Sequence, residues 1–273
     1  MTLFEQPPSQ SRPFAQPLRG DGEPIRLAPE SEPHLPLPEA RPRLTAQGRT
    51  VWPWVWFVVG FFCLATLAFF VTTYGAVAPL LASLLAYIPL AGVVVALMWL
   101  DRWEPEPRGM LFFAAAWGAF VSVMLTLVIG TLIAGALRGV ALPDWFGSVV
   151  QAPVVEEVLK CLGILFVLAM ARRAFDGALD GIVYGGLIGA GFAFVENVKY
   201  FVEALAVGGI GELSAVFFLR AVLSPFAHIM FTAVCGFAVG LAVRRARGVT
   251  APWFAGLAVA IALHAFWNGS AYV

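Results

Sequence analysis

The sequence predicts an all-α fold: a polytopic bundle of about seven transmembrane helices. Three observations predict it. Hydrophobic residues make up 60% of the chain and charged residues only 12%, and the mean hydropathy is +0.84, outside the range of a soluble domain. From Trp52 onward, apolar runs long enough to cross about 30 Å of hydrocarbon at about 20 residues each follow one another. Between them, short connections carry most of the remaining arginines.

The first fifty residues differ in kind. They hold ten of the nineteen prolines, six arginines and six acids, and read as a disordered proline-rich tail, 1–50, ahead of a transmembrane domain, 51–273. The expected spans are 53–73, 77–100, 110–137, 149–171, 178–202, 214–243 and 252–271, with a polar connection at 203–214. Alternate connections hold Arg41, Arg43 and Arg49, then Arg102 and Arg108, then Arg172 and Arg173, then Arg244, Arg245 and Arg247. By the positive-inside rule this is a multi-pass protein of the cell membrane with a cytoplasmic N-terminus and an extracytoplasmic C-terminus. Net charge is zero and no basic block appears, so no nucleic-acid partner is expected; the bilayer itself is. Cys63, Cys161 and Cys235 are scattered through apolar runs and read as small buried hydrophobes. Asp176 and Asp180, at the start of the fifth span, read as loop and helix-capping acids.

Function is carried by the polar residues inside these runs. A charge at bilayer depth costs about 2.5–3.5 kcal/mol on insertion scales and therefore faces an interior site. Span four offers Glu156, Glu157 and Lys160, span five Glu196 and Asn197, span six His228, and span seven His264 and Asn268. Helix rise places all four groups within the half of the membrane away from the arginine-rich loops. Glu156 and Lys160, four apart, form an ion pair, which leaves Glu157 about 100° away to face water or substrate. Asn268, four after His264, orients the imidazole or touches the same ligand. Pro225 loosens the helix just before His228. Lys199 is expected to reach the headgroups.

Such a set can activate water, with a carboxylate as base and neighbouring donors for the oxyanion. It can also bind a divalent metal such as Zn²⁺ through Glu157, Glu196, His228 and His264. Buried Glu, His and Lys equally make proton relays, so a proton- or ion-coupled transporter is the alternative.

At these residues the chain resembles the PrsW family of intramembrane proteases. EExxK (Glu156 to Lys160), DGIVYG followed by GFAFVENVKY, a histidine after SPFA, HAFWN near the end and DRWEPEP at 101–107 carry the resemblance, over roughly 90–273. It implies an intramembrane endopeptidase acting on membrane-anchored proteins, with anti-sigma factors and similar signalling proteins as the substrate type. It also implies kinship with the CAAX prenyl endopeptidases and bacterial immunity proteases. Lys160 stands one position earlier than that wider group's usual arginine, and Ser224 stands where it has phenylalanine, which favours the PrsW branch. Members are described both as metalloproteases and as glutamate proteases. The expected site is then Glu156, Glu157, His228, His264 and Asn268, supported by Lys160, Glu196 and Asn197.

Overall fold

A computed structural model describes residues 51–272; the tail expected to be disordered lies outside them. The described residues form eight α-helices and no strand. They are α1 (Pro53–Tyr74), α2 (Val77–Asp101), α3 (Arg108–Ala116), α4 (Val123–Ala136), α5 (Ala152–Met170), α6 (Ala178–Phe217), α7 (Ala227–Arg244) and α8 (Thr250–Gly269). Three π-helical turns join them: Trp117–Ser122 between α3 and α4, Gly147–Gln151 before α5, and Phe218–Leu223 before α7. Pro225 sits in the break between the last of these and α7.

Five stretches are long and apolar enough to cross a membrane, against the seven spans expected. Two physical facts account for the difference. α5 carries Glu156, Glu157 and Lys160 within its 19 residues. The stretch Ala178–Arg244 runs without a long gap, yet α6 and α7 within it lie antiparallel. The connection expected at 203–214 is helical, bent at Gly209, whose φ of 65° only glycine adopts freely.

α6 is the shaft of the bundle, and its small residues make it so. Gly181, Gly185 and Gly189 meet α7 at Gly236, Thr232 and His228 in turn. A Cβ at Gly181 would land on the Gly236 carbonyl, and one at Gly236 on the Gly181 carbonyl. The backbones therefore touch, as small-residue interfaces in membranes allow. Gly191 and Gly118 make a second close crossing, with α3 and its π-helical turn, and Gly186 receives Leu97 of α2.

α5 is gripped from two sides. The Trp117 indole donates to the Leu159 carbonyl at 3.0 Å and the Trp253 indole to the Cys161 carbonyl at 2.9 Å. Cys161 and Cys235 are fully buried, as expected of small hydrophobes, whereas Cys63 on α1 is only half-buried. Outward faces of the bundle expose large apolar side chains, Phe57 at 81% and Phe266 at 77% among them, which suits a lipid surround.

The end of α6 near the arginine-rich connections is fixed by acids. The Asp180 carboxylate accepts the N–H groups of Asp176 and Gly177 at 2.8 and 2.7 Å, the capping role expected of it. One turn on, the Tyr184 hydroxyl donates to Glu106 at 2.5 Å, and the Glu106 N–H donates to Asp101 at 3.1 Å. Thus the DRWEPEP connection is pinned to α6.

Candidate active site

Six of the expected residues, Lys160 among them, converge at the opposite end of the bundle. Glu156 and Glu157 lie in the first turns of α5, Glu196 on α6, His228 at the start of α7 and His264 in the last third of α8. All but half-buried Glu196 are buried, and Glu157 and Lys160 expose nothing at all.

Lys160 departs from expectation. Its ammonium lies 2.5 Å from Glu157 Oε1 and 3.5 Å from Glu156 Oε2. Its primary partner is thus the residue three before it, since i,i+3 neighbours share a helix face as i,i+4 neighbours do. The same ammonium lies 3.2 Å from His228 Nδ1 and 4.2 Å from the centre of the Phe192 ring. Glu157, expected to face substrate, is instead the sealed one. Thr232 donates to its Oε2 at 3.2 Å, and its Oε1 stands 2.9 Å from His264 Nδ1.

This fixes the imidazoles. A carboxylate only accepts, so the His264 proton sits on Nδ1 and Nε2 keeps its lone pair. Glu196 stands 2.8 Å from His228 Nε2, which puts that ring's proton on Nε2 and turns its Nδ1 lone pair toward Lys160. Phe231 stacks on His264 at 5.1 Å, and the two imidazoles meet edge to face at 4.9 Å.

Glu156 is the carboxylate left over. Its Oε2 is buried and makes no hydrogen bond among the described residues, and His264 Nε2 faces it at 4.0 Å. That separation is too long for a direct hydrogen bond. Glu156 and Glu196 also line a cavity of about 150 Å³ with Thr126, Phe192, Lys199 and Tyr200. Ligand atoms of Glu156, His228 and His264 lie within 4.8 Å of one another. The group that could hold a divalent metal therefore contains Glu156, and His228 would join it only by giving up its contact with Lys160 or Glu196. The expected Glu157 and Glu196 are engaged by Lys160 and His264 and by Arg220 and His228.

Asn197 accepts from Arg220 Nε at 2.6 Å, and the Arg220 guanidinium also pairs with Glu196 and lies 4.2 Å over the Tyr200 ring. Asn268 does not meet His264 through its amide, which donates to the Ser148 carbonyl at 2.8 Å and ties α8 to the π-helical turn before α5. Lys199 pairs with Glu203 at 2.9 Å. Sequence reasoning missed Arg220 and Thr232 as parts of the site. An arginine inside FFLRAVLS was the available signal, since such a charge needs a buried partner; Thr232, four after His228, shares its face.

A family model described as PrsW family intramembrane metalloprotease matches residues 106–273. The chain belongs to the PrsW family. Every site residue lies within the matched segment, which begins at Glu106. The protein named Protease PrsW from Clostridioides difficile (strain 630) is 33% identical over 162 residues, 56% of this chain and 63% of that one. Its namesake from Geobacillus kaustophilus (strain HTA426) is 27% identical over 142 residues, 52% of this chain and 58% of that one. That of Bacillus subtilis (strain 168) is 34% identical over 99 residues, 36% of this chain and 41% of that one. The chain thus spans less than two thirds of the length of these curated PrsW relatives. No solved structure matches it.

Proposed function

We propose that this PrsW-family protein is an intramembrane endopeptidase that hydrolyses a peptide bond in a membrane-anchored protein, of the anti-sigma or similar signalling kind. One observation carries the reading: Glu156 Oε2, buried without a hydrogen bond among the described residues, faces His264 Nε2 at 4.0 Å beside a cavity. A water between them has an acceptor for its proton on one side and an oriented imidazole on the other.

In the proposed reaction, Glu156 takes a proton from that water as its oxygen bonds to the scissile carbonyl carbon. The carbonyl oxygen becomes an oxyanion near the buried Lys160 ammonium, which supplies positive potential in a medium of low dielectric, while the His264 Nε2 lone pair accepts the water's second proton as a hydrogen bond. The C–N bond then breaks, and the proton held by Glu156 passes to the leaving amine. Glu157 does not touch the substrate; it holds His264 in one tautomer and Lys160 in place. Glu196, anchored by Arg220, does the same for His228. Asn268 positions α8 through Ser148.

Glu156, His228 and His264 would hold a divalent ion such as Zn²⁺, with His228 Nδ1 exchanging its contact with Lys160 for the ion. When bound, such an ion would polarise the carbonyl and acidify water.

By the positive-inside rule the arginine-rich connections face the cytoplasm, the C-terminus lies outside and the cavity opens in the outer half of the membrane. Cleavage is then expected near the outer juxtamembrane region of the substrate. The test is terminal-peptide profiling of membranes from cells expressing the wild type or Glu156→Gln. New N-termini beside membrane anchors, lost by at least about a hundredfold in the variant, are expected from removing a general base. Identical profiles from two folded proteins would refute the assignment.

A further inference from the structure

Away from the site, the arginine-rich end of the bundle holds a larger cavity. It measures about 570 Å³ and lies where the end of α5 meets the turn between α7 and α8. Leu165, Leu168, Val243 and Val249 form its apolar wall, and Arg172 and Arg247 stand at it from two different connections. This is apolar depth capped by two positive charges, in a volume that suits a chain-like ligand.

The charges are available. Arg172, Arg173, Arg244, Arg245 and Arg247 are all exposed, and none forms an ion pair or ring contact among the described residues. Arg102, at the same end, is by contrast stacked on Trp99 and Trp103.

Arg247 is also held in place. Its N–H donates to the Ala242 carbonyl at 3.0 Å and the Ala246 N–H to Val243 at 2.9 Å, the two bonds of a Schellman motif. Ala246 occupies the left-handed position of that motif, with φ 51°, where glycine is the ordinary residue and an alanine is strained. The two hydrogen bonds fix where Arg247 leaves the helix end.

We propose that this cavity binds one anionic phospholipid, its phosphate between Arg172 and Arg247 and an acyl chain against the leucine and valine wall. Charge complementarity and the apolar depth select that occupant: a zwitterionic lipid brings a cation beside its phosphate that opposes the two arginines, and a free phosphate leaves the wall in contact with water. Basic pockets between transmembrane helices recognise acidic headgroups in this way.

The experiment is native mass spectrometry of the full chain in detergent, equilibrated with equal amounts of phosphatidylglycerol and phosphatidylcholine of matched acyl chains. The wild type is expected to retain one phosphatidylglycerol in preference by roughly thirtyfold, the scale of two arginine–headgroup contacts. Arg172→Gln/Arg247→Gln should bring that ratio to parity, while Arg172→Lys/Arg247→Lys keeps most of it and Arg108→Gln keeps all of it. Ala169→Phe, which fills the cavity without changing charge, should expel the lipid and decides the matter if the double glutamine variant does not fold. Parity in the wild type would mean ordinary surrounding lipid and overturn the proposal. So would a preference that survives both the glutamine pair and Ala169→Phe, or displacement of the lipid by millimolar inorganic phosphate, which would mean a free-anion site.

Discussion

Lys160 shows how much rests on one side chain. An ammonium with no exposed surface is tolerable only because Glu157, Glu156, His228 and the Phe192 ring surround it. Removing either member of the Lys160–Glu157 pair strands the other charge, a loss of about 3–5 kcal/mol. Lys160→Met is therefore expected to lower the unfolding midpoint in detergent sharply, and Lys160→Met/Glu157→Gln to recover most of it while cleavage stays absent. A Lys160→Met protein as stable as the wild type would contradict this account. The identity of these residues was legible in the sequence, because ionisable groups in apolar runs have few reasons to exist. Their pairing was not. Spacings of three and four both place side chains on one helix face, so the chain alone favoured Glu156 for Lys160 and left Glu157 free, the reverse of what packing produces. Arg220 was hidden by another ambiguity, since it reads equally as a loop charge until α6 brings Glu196 to it.

Among the elements, the α6–α7 interface admits a direct comparison. Gly181→Ala must push a methyl into the Gly236 carbonyl, and overpacking of this kind costs about 1–3 kcal/mol. Gly60→Ala in α1 meets nothing within 4 Å and should gain up to about 1 kcal/mol of helix propensity. Unfolding of the two variants in the same detergent should therefore move in opposite directions. Equal shifts would show that the close approach is not what holds α6 to α7. Helix positions were readable from length and hydropathy, and the four-residue glycine rhythm of GALDGIVYGGLIG was visible as well. The partner of each face was not, because lipid and protein interior are equally apolar and periodicity gives no inward direction. The π-helical turns were not readable either. They carry Arg220, the Ser148 carbonyl and Trp117, which contact Glu196, Asn268 of α8 and Leu159 of α5 in turn.

For the whole molecule, Glu106 links the connection before α3 to the shaft helix, and burial pushes its carboxyl up to about 8. Tyr184, Asp180 and Asp101 face it; the tyrosine hydroxyl opposes the shift and the two acids add to it. The folded protein thus holds a proton on Glu106 that the unfolded chain releases near the ordinary value of 4.5. Between those values the folded state binds more protons, so this contribution is full below about 4.5 and is lost as pH rises through about 8. Thermal unfolding in detergent across that window is expected to show a falling midpoint, flattened in Glu106→Gln. A wild-type midpoint that rises instead would rule out the protonated carboxyl.

The distribution of the site along the chain has a consequence for how the protein is made. Its carboxylates and first histidine enter the bilayer with α5, α6 and α7, but the imidazole that faces Glu156 arrives only with α8. Under the proposed reaction a half-synthesised chain is inert, because Glu156 has no oriented partner across the water position and Glu157 has nothing to hold. Hydrolytic competence then appears in a single step, when the eighth helix docks, and not gradually during translation. Under that proposal the order of the helices is itself a safeguard for the nascent membrane proteins nearby.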